Sequence, residues 1–245
     1  MAAHRLSRER HMRAVLLDAH GTLLELEPPA AALRALMEGR FGVRITVEQA
    51  ETAIAAEIRY YRAHLHEGRD GPSVDELRGR CSEVLRQALA AEHLLEHALD
   101  AIGADEFTGI LLAALQFRVY PEVPEVLREL RGRGLRLVVA SNWDASLPQT
   151  LDLLGLLGDL DGVVTSAECA APKPEPPVFR RALELAGVPS CDALHVGDSP
   201  EEDLAGARRS GIEAVLIARD GRPAVPGERS ISSLRDLLAL PELRT

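Results

Sequence analysis

Five short apolar runs punctuate the chain: RAVLLD (residues 13–18), LRLVVAS (135–141), GVVTS (162–166), ALHVGD (193–198) and EAVLIA (213–218). Within each, apolar positions are nearly continuous rather than alternating. A strand reads this way when helices cover both faces of a parallel sheet. Residues 122–133, 146–157, 175–186 and 200–210 instead repeat their apolar positions with a helical period. Strand–helix–strand repetition requires crossover connections. The pattern therefore predicts an α/β fold with a doubly wound, Rossmann-like parallel-sheet core.

The stretch from 27 to 115 follows another rule. AALRALMEGRF, VEQAETAIAAEIRYYRAHL and VDELRGRCSEVLRQALAAEHLLEHAL are amphipathic helices with no strand between them. They predict an all-helical domain inserted after the first strand. Pro28-Pro29 and Tyr120-Pro121 punctuate its entry and exit. The expected organisation is a core of residues 1–26 and 116–245 and a helical cap of residues 27–115.

Composition narrows the classes of partner. The chain has 245 residues and a formal charge of −10. An acidic surface repels polyanions, which argues against nucleic acid and anionic membranes. No apolar run is long enough to span a bilayer. The basic N-terminus MAAHRLSRERHM leads into no apolar h-region, so it does not read as a secretory signal. Cys81, Cys169 and Cys191 are widely separated and form no CxxC. A reduced, cytoplasmic setting is the expectation. Of the 28 basic residues, all are arginine except Lys173. An ammonium is a compact point charge that arginine does not replace.

In an open parallel sheet, ligands bind beyond the carboxyl ends of the strands. There the predicted strands end in polar residues. The first ends at Asp18, followed by His20, Gly21 and Thr22; the second at Ser141-Asn142; the fourth at Gly197-Asp198-Ser199, with Asp203 close behind. Lys173 sits between the third strand and its helix. Three carboxylates and one ammonium would share a crevice, and clustered carboxylates need a counter-charge. An all-oxygen site suits Mg²⁺. Asp18 would then be placed as a covalent nucleophile, with Ser141 and the backbone N–H near Asn142 as donors to a transferring group. Asp159-Leu160-Asp161-Gly162 also spells an acidic turn, but it precedes a strand and reads as a turn alone.

DAHGT (18–22), VVASNWD, AAPKPEPPVF and LHVGDSPEED together resemble the four motifs of the haloacid dehalogenase superfamily, in the branch with a helical cap inserted after the first motif. The resemblance implies Asp18 as nucleophile, the His20 main-chain carbonyl with Asp18, Asp198 and Asp203 as Mg²⁺ ligands, and Ser141 and Lys173 as the second and third motifs. It implies Thr22, Ser141, Asn142 and Lys173 as substrate-binding residues and a small phosphorylated molecule as partner.

His20 stands where the family's phosphatases carry a second aspartate as acid/base. Imidazole can serve as acid or base near neutral pH, which keeps a Mg²⁺-dependent phosphatase with an aspartyl-phosphate intermediate as the leading expectation. The alternatives are a phosphate-ligand or partner-binding protein with weak or no turnover, and a 2-haloacid dehalogenase. Dehalogenases of the family also lack the second aspartate, but they do not keep the Asp198–Asp203 arrangement.

Overall fold

The computed structural model describes residues 11–91, 95–219 and 227–244; the basic N-terminus up to residue 10 lies outside them. Among the described residues eight strands occur: β1 (Ala14–Leu17), β2 (Leu24–Leu26), β3 (Phe117–Val119), β4 (Arg136–Ser141), β5 (Gly162–Thr165), β6 (Ala193–Gly197), β7 (Glu213–Ile217) and β8 (Ser230–Ile231). The chain divides into two units: Met1–Leu24, Val119–Asn142 and Leu147–Thr245 form one, and Glu25–Arg118 with Trp143–Ser146 form the other.

The first unit is built on a six-stranded sheet in the order β5-β4-β1-β6-β7-β8, with every neighbouring pair parallel. The α/β, doubly wound expectation holds. All residues of β1 and β6 are buried, as continuous apolar runs require. β1 lies between β4 and β6, so the strand order reverses direction beside it. This is the topological switch point at which such sheets bind ligands. β8, in the stretch SISSL, lacks the apolar run that marks the other strands. It pairs with β7 as the edge of the sheet and is carried by that pairing.

The second unit contains α1 (Pro29–Phe41), α2 (Val47–His64), α3 (Gly71–Ala90), α4 (Glu96–Asp100) and α5 (Ala104–Ala114). Thr46 and Asp70 close reciprocal capping boxes at the starts of α2 and α3, which satisfies N–H groups a helix start leaves unpaired. Leu33, Met37, Leu77, Leu85, Phe107 and Ile110 form its buried centre. Glu57 is also buried there, at 2% exposure. β2 and β3 pair where the chain crosses between the units. Both are only three residues long and carry no recognisable period.

The first unit's helices are α6 (Val123–Gly132), α7 (Leu147–Leu153), α8 (Ser166–Cys169), α9 (Pro176–Ala186) and α10 (Ala205–Arg209). A π turn, Pro200–Leu204, precedes α10 and carries Asp203 inward, where it is 1% exposed. Asp161 is a turn residue: its carboxylate accepts from the Leu137 N–H (2.8 Å) and pairs with Arg136.

Candidate active site

Asp18 follows β1 directly, and its N–H still donates to the Val196 carbonyl of β6. The carboxylate thus leaves the sheet at a fixed height. The turn after it is tight: Leu23 and Leu24 donate to the Ala19 carbonyl, and Gly21 donates to the Leu24 carbonyl. Gly21 has φ +79°, and a Cβ there would lie 2.3 Å from Asp198 Oδ2. Glycine is needed at this position for both reasons. Gly197 is constrained the same way, since a Cβ would meet Asp203 Cγ at 2.1 Å. Both acidic side chains therefore fill space that glycines leave open.

Four of the expected residues meet directly. Asp18 Oδ1 accepts from Ser141 Oγ (2.9 Å) and from Lys173 Nζ (2.6 Å), and the same ammonium donates to Asp203 Oδ1 (2.5 Å). Asp198 completes the group: one carboxylate oxygen from each of Asp18, Asp198 and Asp203 lies within 4.8 Å of the others. Asp18, Ser141, Lys173 and Asp203 are each under 10% exposed.

Asn142 has a task that the sequence did not disclose. Its side-chain Nδ2 donates to the Lys173 carbonyl and to Glu202, and its Oδ1 accepts from the Lys173 N–H (2.6 Å). It thereby ties down the proline-flanked loop that carries the lysine. Thr22 is buried, and its hydroxyl has no hydrogen-bond partner among the described residues. Its carbonyl accepts from Arg219 (2.7 Å), which also pairs with Glu122 and lies over the Tyr120 ring. His20 is exposed on the turn. Trp143 and Asp144 belong to the helical unit. There Trp143 packs against Phe117, and Asp144 accepts from the Tyr61 hydroxyl (3.1 Å) and the Ser146 N–H.

Burial pushes the Asp18 carboxyl up to about 7; Lys173 opposes this, while Asp203 and Asp198 add to it. Burial pulls the Lys173 ammonium down, but Asp18 and Asp203 outweigh it and hold the group above its ordinary range. Asp203, although desolvated, is held well below the carboxylate range by Lys173 and His195. Three carboxylates thus face one ammonium, and the group that must be ionised to attack is the one pushed up. A divalent cation on the oxygens of Asp18, Asp198 and Asp203 fits that excess of negative charge.

Sequence reasoning missed Glu202, Arg219 and the link from His195 to Asp203. Glu202 is one of three consecutive acids, Glu201 to Asp203, and nothing in the run marks which turns inward. Arg219 is one arginine among many.

The haloacid dehalogenase-like hydrolase family matches residues 12–211. The mouse haloacid dehalogenase-like hydrolase domain-containing protein 3 is 33% identical over 98% of this chain and 96% of its own. A phosphoserine phosphatase from Thermus thermophilus is 32% identical over 88% of this chain and 92% of its own. Among solved structures, a 2-haloacid dehalogenase from Pseudomonas syringae pv. Tomato superposes with a TM-score of 0.63 at 26% identity, covering 93% of this chain and 97% of that one. With the family's match running from before β1 to just short of β7, and with full-length relatives above 30% identity, the chain belongs to the haloacid dehalogenase-like hydrolases.

Proposed function

We propose that this hydrolase is a Mg²⁺-dependent phosphatase that acts on a small phosphomonoester through an aspartyl-phosphate on Asp18. The observation that carries the reading is the charge balance: three carboxylate oxygens within 4.8 Å, with one ammonium shared between two of them. Displacement of halide from a 2-haloacid, itself an anion, offers nothing to offset that excess. The excess does suit a divalent cation together with a phosphoryl group.

Both donors to Asp18 converge on Oδ1, which leaves Oδ2 as the attacking oxygen. Oδ2 bonds to phosphorus as the bond from phosphorus to the ester oxygen breaks, and the alcohol leaves. The His20 imidazole, exposed on the turn two residues on, gives the departing oxygen its proton. The ring then takes a proton from water, and the water oxygen bonds to phosphorus. The phosphorus–Oδ2 bond breaks, so inorganic phosphate is released and the Asp18 carboxylate restored. Ser141, the Asn142 main-chain N–H, the Thr22 hydroxyl and Lys173 stand as the donors to the phosphoryl oxygens. Asp18, the His20 carbonyl, Asp198 and Asp203 would hold Mg²⁺, which when bound would supply charge neutralisation at those oxygens. The helical unit serves as the cap, whose closure would exclude water. A phosphoserine phosphatase among the relatives supports phosphoester chemistry.

A second reading is favoured by His20 itself and by the dehalogenase likeness: halide leaves without a proton, so no second acid is required. The test is phosphate release from a panel of phosphomonoesters, with Mg²⁺ and with EDTA, for wild type and Asp18→Asn. Release that needs both Mg²⁺ and Asp18 is expected. Release by wild type that persists in the folded Asp18→Asn variant sinks the covalent mechanism. If no phosphate appears, chloride release from a 2-haloacid separates the dehalogenase from a binding protein without turnover.

A further inference from the structure

His195 is the one strongly polar residue inside β6, and it is completely buried. A lone histidine on an apolar strand is often only a space-filler, yet this ring has a specific partner. Its Nε2 lies 2.9 Å from Asp203 Oδ1, the oxygen that also accepts from Lys173. Asp203 Oδ2 accepts from the Ser199 N–H (3.0 Å). The carboxylate is therefore held from three directions, two of them at Oδ1.

Strand geometry explains how the ring reaches it. Residues 195 and 197 project from the same face of β6. Position 197 is glycine, and the Asp203 carboxylate occupies the space a side chain there would take. The carboxylate is thus laid beside the imidazole on that face. The ring is fixed from its other side by Phe179 of α9, edge-on at 5.1 Å between centroids. Phe179 cannot retreat, because it is packed against Gly206 of α10, where a Cβ would lie 2.6 Å from the ring.

The proton's place follows from the same contacts. Asp203 is an acceptor, so Nε2 must be the donor. Nδ1 is buried and has no hydrogen-bond partner among the described residues.

We propose that His195 is a positioning residue for the hydrolysis proposed above: its Nε2–H donates to Asp203 and fixes that carboxylate in the orientation that seats Lys173 against Asp18. Only the kinetic arm of its test rests on the phosphatase reading.

The first measurement is the tautomer of His195 in the wild-type protein at pH 7, from long-range ¹H–¹⁵N correlations, in Mg²⁺ and in EDTA. The Nε2–H form is expected in both. A ring with no proton on Nε2 overturns the proposal. The second compares wild type, His195→Leu and His195→Gln, each checked for folding by circular dichroism. In His195→Leu, kcat should fall about 10–100-fold, the usual cost of losing an outer partner of a site ligand, with KM little changed. His195→Gln, whose amide nitrogen can stand near the Nε2 position, should recover most of the loss. A folded leucine variant with wild-type kcat, or a glutamine variant no better than leucine, overturns the proposal. Absence of any wild-type phosphate release would instead reject the phosphatase reading, and the tautomer would still decide the role of His195.

Discussion

At Lys173 one ammonium is shared between two buried carboxylates, 2.6 and 2.5 Å away. Removing one partner of such a group leaves uncompensated charge in a desolvated place, which costs about 3–5 kcal/mol. Lys173→Met should therefore be destabilised by that order at pH 7 and inactive in phosphate release. Without the ammonium Asp18 is pushed further up and Asp203 loses the main charge that holds it down, and a neutral carboxyl needs no partner. The deficit should thus shrink as pH is lowered, which thermal unfolding at pH 5 and pH 7 would measure. A methionine variant as stable as wild type at pH 7 would contradict the charge balance described here. Lys173→Arg keeps the charge but should not restore activity, because the planar guanidinium does not fit a pocket shaped for a point charge. The solitude of this lysine was legible in the sequence. Its two partners were not, because Asp18 and Asp203 lie 155 and 30 residues away along the chain.

Among the elements, α2 carries a buried acid in an otherwise apolar packing. Burial pushes Glu57 up to about 7, against a partial counter-pull from the Cys81 thiol. Its folded value is above the unfolded one, so the folded state binds the proton more tightly. That stabilisation is complete below pH 4.5 and is lost as pH rises towards 7, a change of up to about 3 kcal/mol. Glu57→Gln should change stability little at pH 5 and raise it at pH 8. Melting curves of both proteins across that range would check this, and a difference independent of pH would refute it. Periodicity alone could not separate Glu57 from the exposed acids of the same helix. The long helices and five long strands were readable because each carries its own apolar pattern. β2, β3 and β8 were not, since strands of two or three residues are held by their neighbours rather than by any period of their own.

For the whole molecule, the consequential prediction concerns Mg²⁺. A ligand that binds only the folded state stabilises it by about 2.7 kcal/mol at a hundred times its Kd, several degrees in a chain of this size. Millimolar Mg²⁺ should raise the melting temperature of wild type relative to EDTA, and Asp198→Asn should lose the rise while remaining folded. No Mg²⁺-dependent rise in wild type would remove the cation from the proposed function. The described residues contain no helix long and apolar enough to cross a membrane, in keeping with the absence of any such run in the sequence. The sequence by itself determined the α/β sheet, the helical insert, the three polar strand ends and the lysine loop, because these depend on local apolar periods and on the turns that interrupt them. Only the tertiary structure decided that Trp143–Ser146 cluster with the helices, that Asn142 binds the lysine loop, and that His195 rather than solvent meets Asp203. Those are hydrogen bonds between segments remote in sequence or around a π turn. Such bonds exist only after the sheet has fixed the distances, and no local pattern encodes them.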